Sequence, residues 1–270
     1  ISNLINQTGY IAVLAVGMTL IIVIRHIDLS VGFLAGFLGA IAAIAMVAWK
    51  LLTFAAILLV LALGAFAGAI NGFLVAQMKI PSFVATLAGW LIYRGAILVV
   101  TEKTGTIIIP NEAFNAIGNG YIPDIPGLTG FLPDVHKLTL LLGIVGIILF
   151  VIGQFRDRKN KLAYNFEVLP KDMFIIKLVF ISAIIGLITW VLAGFRGLSW
   201  TAIVVLIVVA IYHFITTQTV LGRHMYAIGG NPEAAELSGV SVKKIIYMVF
   251  GSMGMLSALS GVLYASRLQS

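Results

Sequence analysis

Residues 222–244 read GRHMYAIGGNPEAAELSGVSVKK, one of the few long polar passages in a chain otherwise built from membrane-length apolar runs. Asn231 can cap a helix with its side chain, Pro232 suits the first helical position where no N–H is needed, and Glu233 complements the positive end of a helix. A short helix is therefore expected over residues 232–238, closed by Gly239 as the residue after its C-cap, with Ala234, Ala235 and Leu237 supplying small or apolar contacts. Ser241 is expected to cap the next helix, which runs from about Val242 into an apolar segment. Set between two membrane spans, the short helix lies at the water interface, either as an ordinary interfacial loop helix or as a docking element.

The composition excludes a soluble globular domain. Hydrophobic residues make up 61% of the 270 positions and charged residues 10%, where soluble domains carry about 25% charge. The mean hydropathy is +1.11. The apolar runs are long and continuous, which excludes the short alternating strands of a transmembrane barrel, so the expected fold class is an all-α, polytopic helical membrane protein. The net charge of +7 fits basic loops facing anionic lipid better than nucleic-acid binding. No cysteine is present, so disulfides, thiolate chemistry and zinc–thiolate sites are excluded. The first apolar run has neither a basic leader nor a cleavage site in front of it.

Eight candidate spans follow, at about residues 9–24, 30–48, 52–76, 82–101, 137–154, 173–193, 198–217 and 245–266. Residues 102–136, with Pro110, Pro123, Pro126 and Pro133 and the acids Glu102, Glu112, Asp124 and Asp134, read as an irregular external excursion. Residues 155–172 form a basic loop with Arg156, Arg158, Lys159, Lys161 and Lys171. It lies two spans from the 222–244 segment, which adds Arg223, Lys243 and Lys244, so the positive-inside rule makes that side cytoplasmic. By parity Lys79 is cytoplasmic, while Lys50 and Ile1 are external. Gly64, Gly68 and Gly72 form two overlapping GxxxG steps and Gly32 with Gly36 another, expected to close contacts inside one protomer rather than a homodimer seam.

Ionisable residues within spans are functional candidates because an unpaired charge there is costly. Arg94 follows Trp90 by four residues on the same helical face and Tyr93 by one. Trp90, Tyr93 and Arg94 could form the wall of a pathway for a hydroxylated solute, or Arg94 could snorkel to headgroups. Arg25, His26, Asp28 and Ser30 interrupt the apolar sequence. A cytoplasmic turn in which Asp28 or Ser30 caps the next helix is expected, with a broken helix carrying Asp28 into the membrane as the alternative. Asn71 reads as interhelical glue or as a pathway residue. His213 and His224 have no ligand-like spacing, so no metal site or other cofactor is expected. No nucleophile–base–orienter set can be assembled and no phosphate-binding GxxxxGK[ST] loop is present, so the chain is expected neither to be an enzyme nor to bind ATP itself.

Three stretches resemble one family. AIGGNPEAAELSGVSVKKI (227–245), GMTLIIVIRHIDLSVG (17–32) and GAINGFLVAQMKIPSFVATLAGWLIYRG (68–95) are similar, in order and spacing, to permease subunits of bacterial ABC importers for monosaccharides, the ribose and xylose permeases, and most of all to the xylose and multiple-monosaccharide branch. The resemblance spans nearly the whole chain and implies a single transmembrane permease domain over residues 1–270 in the bacterial inner membrane. It implies a second permease copy, an external sugar-binding protein, and an ATP-binding subunit docked on Gly229, Gly230, Asn231, Pro232, Glu233, Ala234, Ala235, Glu236, Leu237, Ser238 and Gly239. Asp28, Ser30, Asn71, Trp90, Tyr93 and Arg94 are the candidate translocation residues, and Gly230 and Glu233 are expected to be sensitive coupling positions. The family's permeases carry a further helix before the position of Ile1 and further spans after that of Ser270, so both ends are expected to be truncated. The competing expectations are a permease of the same fold for branched-chain amino acids or nucleosides, and an ATP-independent secondary transporter or channel. The latter would use intramembrane acids, of which Asp28 is the one candidate.

Overall fold

The computed structural model describes residues 2–102, 105, 107–124 and 135–269. Its regular elements among these residues are helices, in the order α1 (Ser2–Val23), α2 (Val31–Val47), α3 (Thr53–Ala76), α4 (Ser82–Thr101), α5 (Glu112–Asn119), α6 (Lys137–Ala163), α7 (Lys171–Ala193), α8 (Trp200–Gln218), α9 (Val220–Gly230), α10 (Pro232–Leu237) and α11 (Val242–Leu268). Seven of these are long and apolar enough to cross a membrane, while α2, at 17 residues, is shorter. The all-α, multi-pass reading of the composition therefore holds. Two compact units contain them: Ile1–Leu4 with Tyr121–Ser199, and Ile5–Gly120 with Trp200–Ser270.

In the larger unit α11 is the axis, with 67% of its most apolar stretch buried. Small residues let other helices reach its backbone. A Cβ added at Gly68 would overlap the Phe250 carbonyl, and one at Gly254 would overlap the Gly64 carbonyl, so α3 and α11 cross at backbone contact. Gly72 continues the row, where an added Cβ would lie 3.2 Å from Tyr247 Cα. The glycine row of α3 is thus occupied within the chain. On α2 the close approach falls at Gly39 against Gly261, whereas Gly32 faces open space and Gly36 meets only the tip of Ile97. The Gly32–Gly36 step expected from the sequence therefore brings no two backbones together.

Helix α1 starts at Ser2, well before the expected span at residue 9, and its polar Asn6 is buried. Twenty-two residues give it about 33 Å of length, so it is not a short span. The excursion after α4 is not wholly irregular. Asn111 caps α5 through a bond from the Phe114 N–H, and α5 is pinned to the end of α11. Ser266 Oγ donates to the Phe114 carbonyl at 2.6 Å and accepts from the Gly118 N–H at 2.7 Å, with Phe114 fully buried. Pro126, Pro133 and Asp134, part of the same expectation, lie outside the described residues.

In the smaller unit α6 and α7 pair as antiparallel neighbours. The basic stretch read as a loop from residue 155 is helical as far as Ala163. Charged residues continue a helix readily when they pair one turn apart, as Lys161 does with Asp157 at 2.8 Å. Arg158 then donates to the Leu169 carbonyl in the connection before α7 at 2.7 Å and lies 4.6 Å over the ring of Phe174 on α7.

Candidate functional site

The segment between α8 and α11 folds as two successive short helices. Thr219 caps α9 by accepting from the Gly222 N–H, and α9 then runs through Gly229 and Gly230 to its end. Asn231 serves both helices. Its N–H donates to the Ala227 carbonyl to close α9, and its side-chain oxygen accepts from the N–H groups of Glu233 (3.0 Å) and Ala234 (3.1 Å) to open α10. With Pro232 in the first turn, α10 spans six residues. It ends in a paired closure: the Gly239 N–H reaches the Glu236 carbonyl and the Val240 N–H the Ala235 carbonyl, with Gly239 at φ +86°. That left-handed residue is where glycine costs least.

Nearly all of α10 faces outward. Ala235 is buried against the larger unit's core, while Glu233, Ala234, Glu236 and Leu237 are exposed, Leu237 to 91%. Leu237 therefore does not supply the packing contact expected of it. Ser241 occupies the N-cap position of α11 but its side chain makes no capping bond, so that expectation is corrected as well. Of the two glycines, Gly229 is the constrained one. A Cβ there would overlap the Val23 carbonyl at the end of α1, whereas Gly230 opens onto free space.

The connection between α1 and α2 meets this segment directly. Helix α1 closes in the same paired fashion, Arg25 N–H to the Ile22 carbonyl and His26 N–H to the Ile21 carbonyl, but the left-handed position is held by Arg25 at φ +64°. From there its guanidinium donates through Nε to the Gly229 carbonyl and through Nη2 to the Gly230 carbonyl, both at 2.7 Å. These carbonyls are the unsatisfied C-terminal acceptors of α9, where cationic donors are favoured. At the same end of the unit Lys243 Nζ donates to Gln77 Oε1 at 3.1 Å. Arg25 and Lys79 follow the C-terminal ends of α1 and α3, Arg223 lies in α9, and Lys243 and Lys244 lie in the first turn of α11, the basic grouping on which the positive-inside expectation rests.

A polar knot begins three residues after Arg25, at Asp28. Asp28 Oδ1 accepts from both the N–H (2.9 Å) and the hydroxyl (2.6 Å) of Ser30, and Asn71 Nδ2 on α3 donates to Ser30 Oγ at 3.1 Å. All three residues are buried. Ser30 precedes α2 without capping it, and Asp28 uses its carboxylate on Ser30 rather than on the first turn of the helix, so the expected cap is replaced by a local turn. Helix α4 flanks the knot, its Ser82 and Thr86 hydroxyls accepting from the Ile27 (3.2 Å) and Leu29 (3.0 Å) N–H groups. Burial pushes the Asp28 carboxyl above its ordinary value, and the two bonds from Ser30 oppose that rise.

The structure brings Asp28, Ser30 and Asn71 together, with Gly89 of α4 beside them. A Cβ at Gly89 would lie 3.2 Å from Ser30 Cβ, 3.5 Å from Tyr93 Cε2 and 3.7 Å from Asn71 Oδ1. Tyr93 thereby borders the knot and stacks on Phe37 of α2. Trp90 packs perpendicular to Phe33, and the exposed Arg94 lies 5.5 Å over the Trp90 ring, so these two are not part of the hydrogen-bonded group. Sequence reading did not single out Thr86, Ser82 or Gly89, and gave Arg25 only a topological role. The available signal was an arginine directly ahead of HIDLS where a helix must end.

The family model described as branched-chain amino acid transport system / permease component matches residues 1–124 and 125–270. The xylose transport system permease protein of Haemophilus influenzae is 38% identical over 271 residues, covering 99% of this chain and 68% of the relative. That of Escherichia coli K12 is also 38% identical, with 65% of its length covered. The ribose import permease protein of H. influenzae is 32% identical over 273 residues, with 62% covered. The chain thus spans about two thirds of the length of these curated relatives. No solved structure matches it with comparable significance. Matched along its whole length by that family model, and at 38% identity by a relative of which it covers 68%, this chain belongs to the permease-component family of membrane transport systems.

Proposed function

We propose that the chain is the transmembrane permease subunit of an ATP-driven importer that carries a monosaccharide of the xylose or ribose type across the bacterial cell membrane. The relatives with the highest identities given above are named for xylose and ribose, which favours a sugar over a branched-chain amino acid or a nucleoside. ATP hydrolysis belongs to a separate ATP-binding subunit docked on residues 229–244, and an extracytoplasmic sugar-binding protein delivers the substrate. A second copy of the permease completes the pathway within the lipid.

The observation that carries this reading is α10, a capped six-residue helix held at a basic end of the larger unit with Leu237 and both glutamates turned outward. An exposed apolar side chain on a rigid base suits a groove on a partner. Asp28, Ser30 and Asn71, with Tyr93 beside them and Trp90 and Arg94 further along α4, supply hydroxyl, amide, carboxylate and aromatic surfaces of the kind a sugar uses, and they form the translocation path. Alternating access follows from an ATPase that binds the two conformations with different affinity.

The test is uptake into proteoliposomes carrying the complete importer, with labelled xylose, ribose, leucine and a nucleoside offered in turn. Sugar uptake that needs ATP and survives collapse of the proton gradient is expected. Uptake of leucine or the nucleoside in its place would overturn the substrate assignment, and uptake that needs only the gradient would overturn the importer.

A further inference from the structure

The α1–α2 connection touches four other helices within seven residues. Arg25 holds the carbonyls that end α9. His26 packs its ring 5.9 Å from Phe250 on α11, the Ile27 and Leu29 N–H groups are bonded to α4, and Ser30 is bonded to Asn71 on α3. The C-terminal closure that places Arg25 puts it at φ +64°, a conformation that costs a non-glycine residue about 1 kcal/mol or more. Glycine would end α1 with less strain. What arginine adds is its side chain, and both bonds that it makes go to α9, 204 and 205 residues away.

Resting on the reading of α10 as the docking helix, the geometry points to Arg25 as the positioning residue that transmits movement of that helix to the polar knot. The path is short and bonded throughout. Asn231 joins α10 to α9, the Gly229 and Gly230 carbonyls join α9 to Arg25, and three peptide units link Arg25 to Asp28. Gly229 lies against the Val23 carbonyl without a Cβ between, so α9 cannot shift toward α1 without pushing the turn. Displacing α10 therefore pulls on the segment whose Ile27, Leu29 and Ser30 are fastened to α4 and α3. Among the described residues the side-chain bonds of Arg25 go to α9 and not to α10 or the knot, so its part is coupling rather than docking or sugar contact.

The test uses the complete importer in proteoliposomes, with Arg25→Ala, Arg25→Lys and, separately, Leu237→Asp. Three quantities are read: ATP-binding subunit retained on purification, ATP hydrolysis, and sugar uptake per ATP. Arg25→Ala is expected to keep the subunit and its hydrolysis while uptake per ATP falls about tenfold or more, the two charge-assisted bonds being lost together. Arg25→Lys keeps the charge but only a point donor, and is expected to restore part of the uptake. Full uptake per ATP in Arg25→Ala would overturn the proposal. So would loss of the ATP-binding subunit from Arg25→Ala, since Arg25 would then merely hold α10 in shape. Should Arg25→Ala fail to accumulate in the membrane, Arg25→Gln, with the stem and one donor kept, is judged by the same ratio. Leu237→Asp separates the two readings. Retention of the subunit by that variant overturns the docking helix itself, whereas its loss, with Arg25→Ala still fully coupled, overturns only the latch.

Discussion

Asn71 on α3 donates its side-chain amide to Ser30 Oγ at 3.1 Å, joining a helix interior to a turn 41 residues earlier in the chain. The Ser30 hydroxyl in turn donates to Asp28 Oδ1, so the amide, the hydroxyl and the carboxylate form one directed chain of hydrogen bonds that ends on the carboxylate in a buried place. Asn71→Leu removes the outer donor and leaves apolar volume against Ser30. A loss of about 1–2 kcal/mol is expected, because one buried bond goes while the Ser30–Asp28 bond survives. Thermal unfolding in detergent would show it as a lowered midpoint, and an unchanged midpoint would mean that Asn71 has no structural hold on the turn.

Asp28 gives a pH signature. Its carboxyl is raised above the ordinary value of 3.8, burial outweighing the bonds from Ser30, so its charged form is disfavoured in the folded chain. A raised group favours the folded state fully below its unfolded pKa, and that contribution is lost as pH rises through the folded pKa. Asp28→Asn keeps the shape and is neutral at every pH. It is expected to raise the unfolding midpoint relative to the wild type at neutral pH, with the advantage fading as pH falls toward 3.8 and the wild-type carboxyl becomes protonated. An advantage of equal size at all pH values would show that charge is not the cause.

The long spans and the helix at Pro232 were legible because their signals are local: unbroken apolar runs, an Asn-Pro-Glu start and a glycine stop. What was not legible depended on contacts far away in sequence. Gly229–Gly230 looks like a breaker, yet both glycines are helical, since Gly229 must fit beneath Val23 and Arg25 binds the free carbonyls. The first apolar run begins near residue 9, yet α1 starts at Ser2 and its polar Asn6 is buried, a placement that apolar content does not signal. In the excursion after α4, proline and glycine signalled irregularity and hid α5, whose anchor is Ser266 at the far end of the chain. Asp28 and Ser30 could be read as caps from sequence because capping needs only neighbours. Their actual partners include Asn71, which no local pattern could supply.

The crossing of α3 and α11 is expected to tolerate no side chain. Gly68→Ala and Gly254→Ala each place a methyl group on a backbone carbonyl, so the helices must separate. Overpacking of this kind costs about 1–3 kcal/mol, which outweighs the gain of up to about 1 kcal/mol from replacing a helical glycine with alanine. Gly95→Ala on α4 is the matched control, for its Cβ meets nothing within 4 Å and only the propensity gain remains. Unfolding midpoints should fall for the first two and stay level or rise for the third. Equal behaviour of all three would remove the backbone crossing as the reason for the glycines.

Leu237 is 91% exposed on a helix that is otherwise well capped at both ends, so its replacement should separate binding from stability. Leu237→Ser removes no contact within the chain and is expected to leave the unfolding midpoint within the change produced by about 0.5 kcal/mol. If the ATP-binding subunit buries this side chain, the same variant forfeits about 1.5–3 kcal/mol of association, a weakening of roughly tenfold or more. Ala235, the buried residue of α10, should behave in the opposite sense. Ala235→Leu forces α10 off its base and lowers stability before it touches binding. Titration of the purified ATP-binding subunit against permease in nanodiscs, beside thermal unfolding of each variant, reads both quantities. Unweakened binding by Leu237→Ser would place the docking contact elsewhere on the basic end of the molecule.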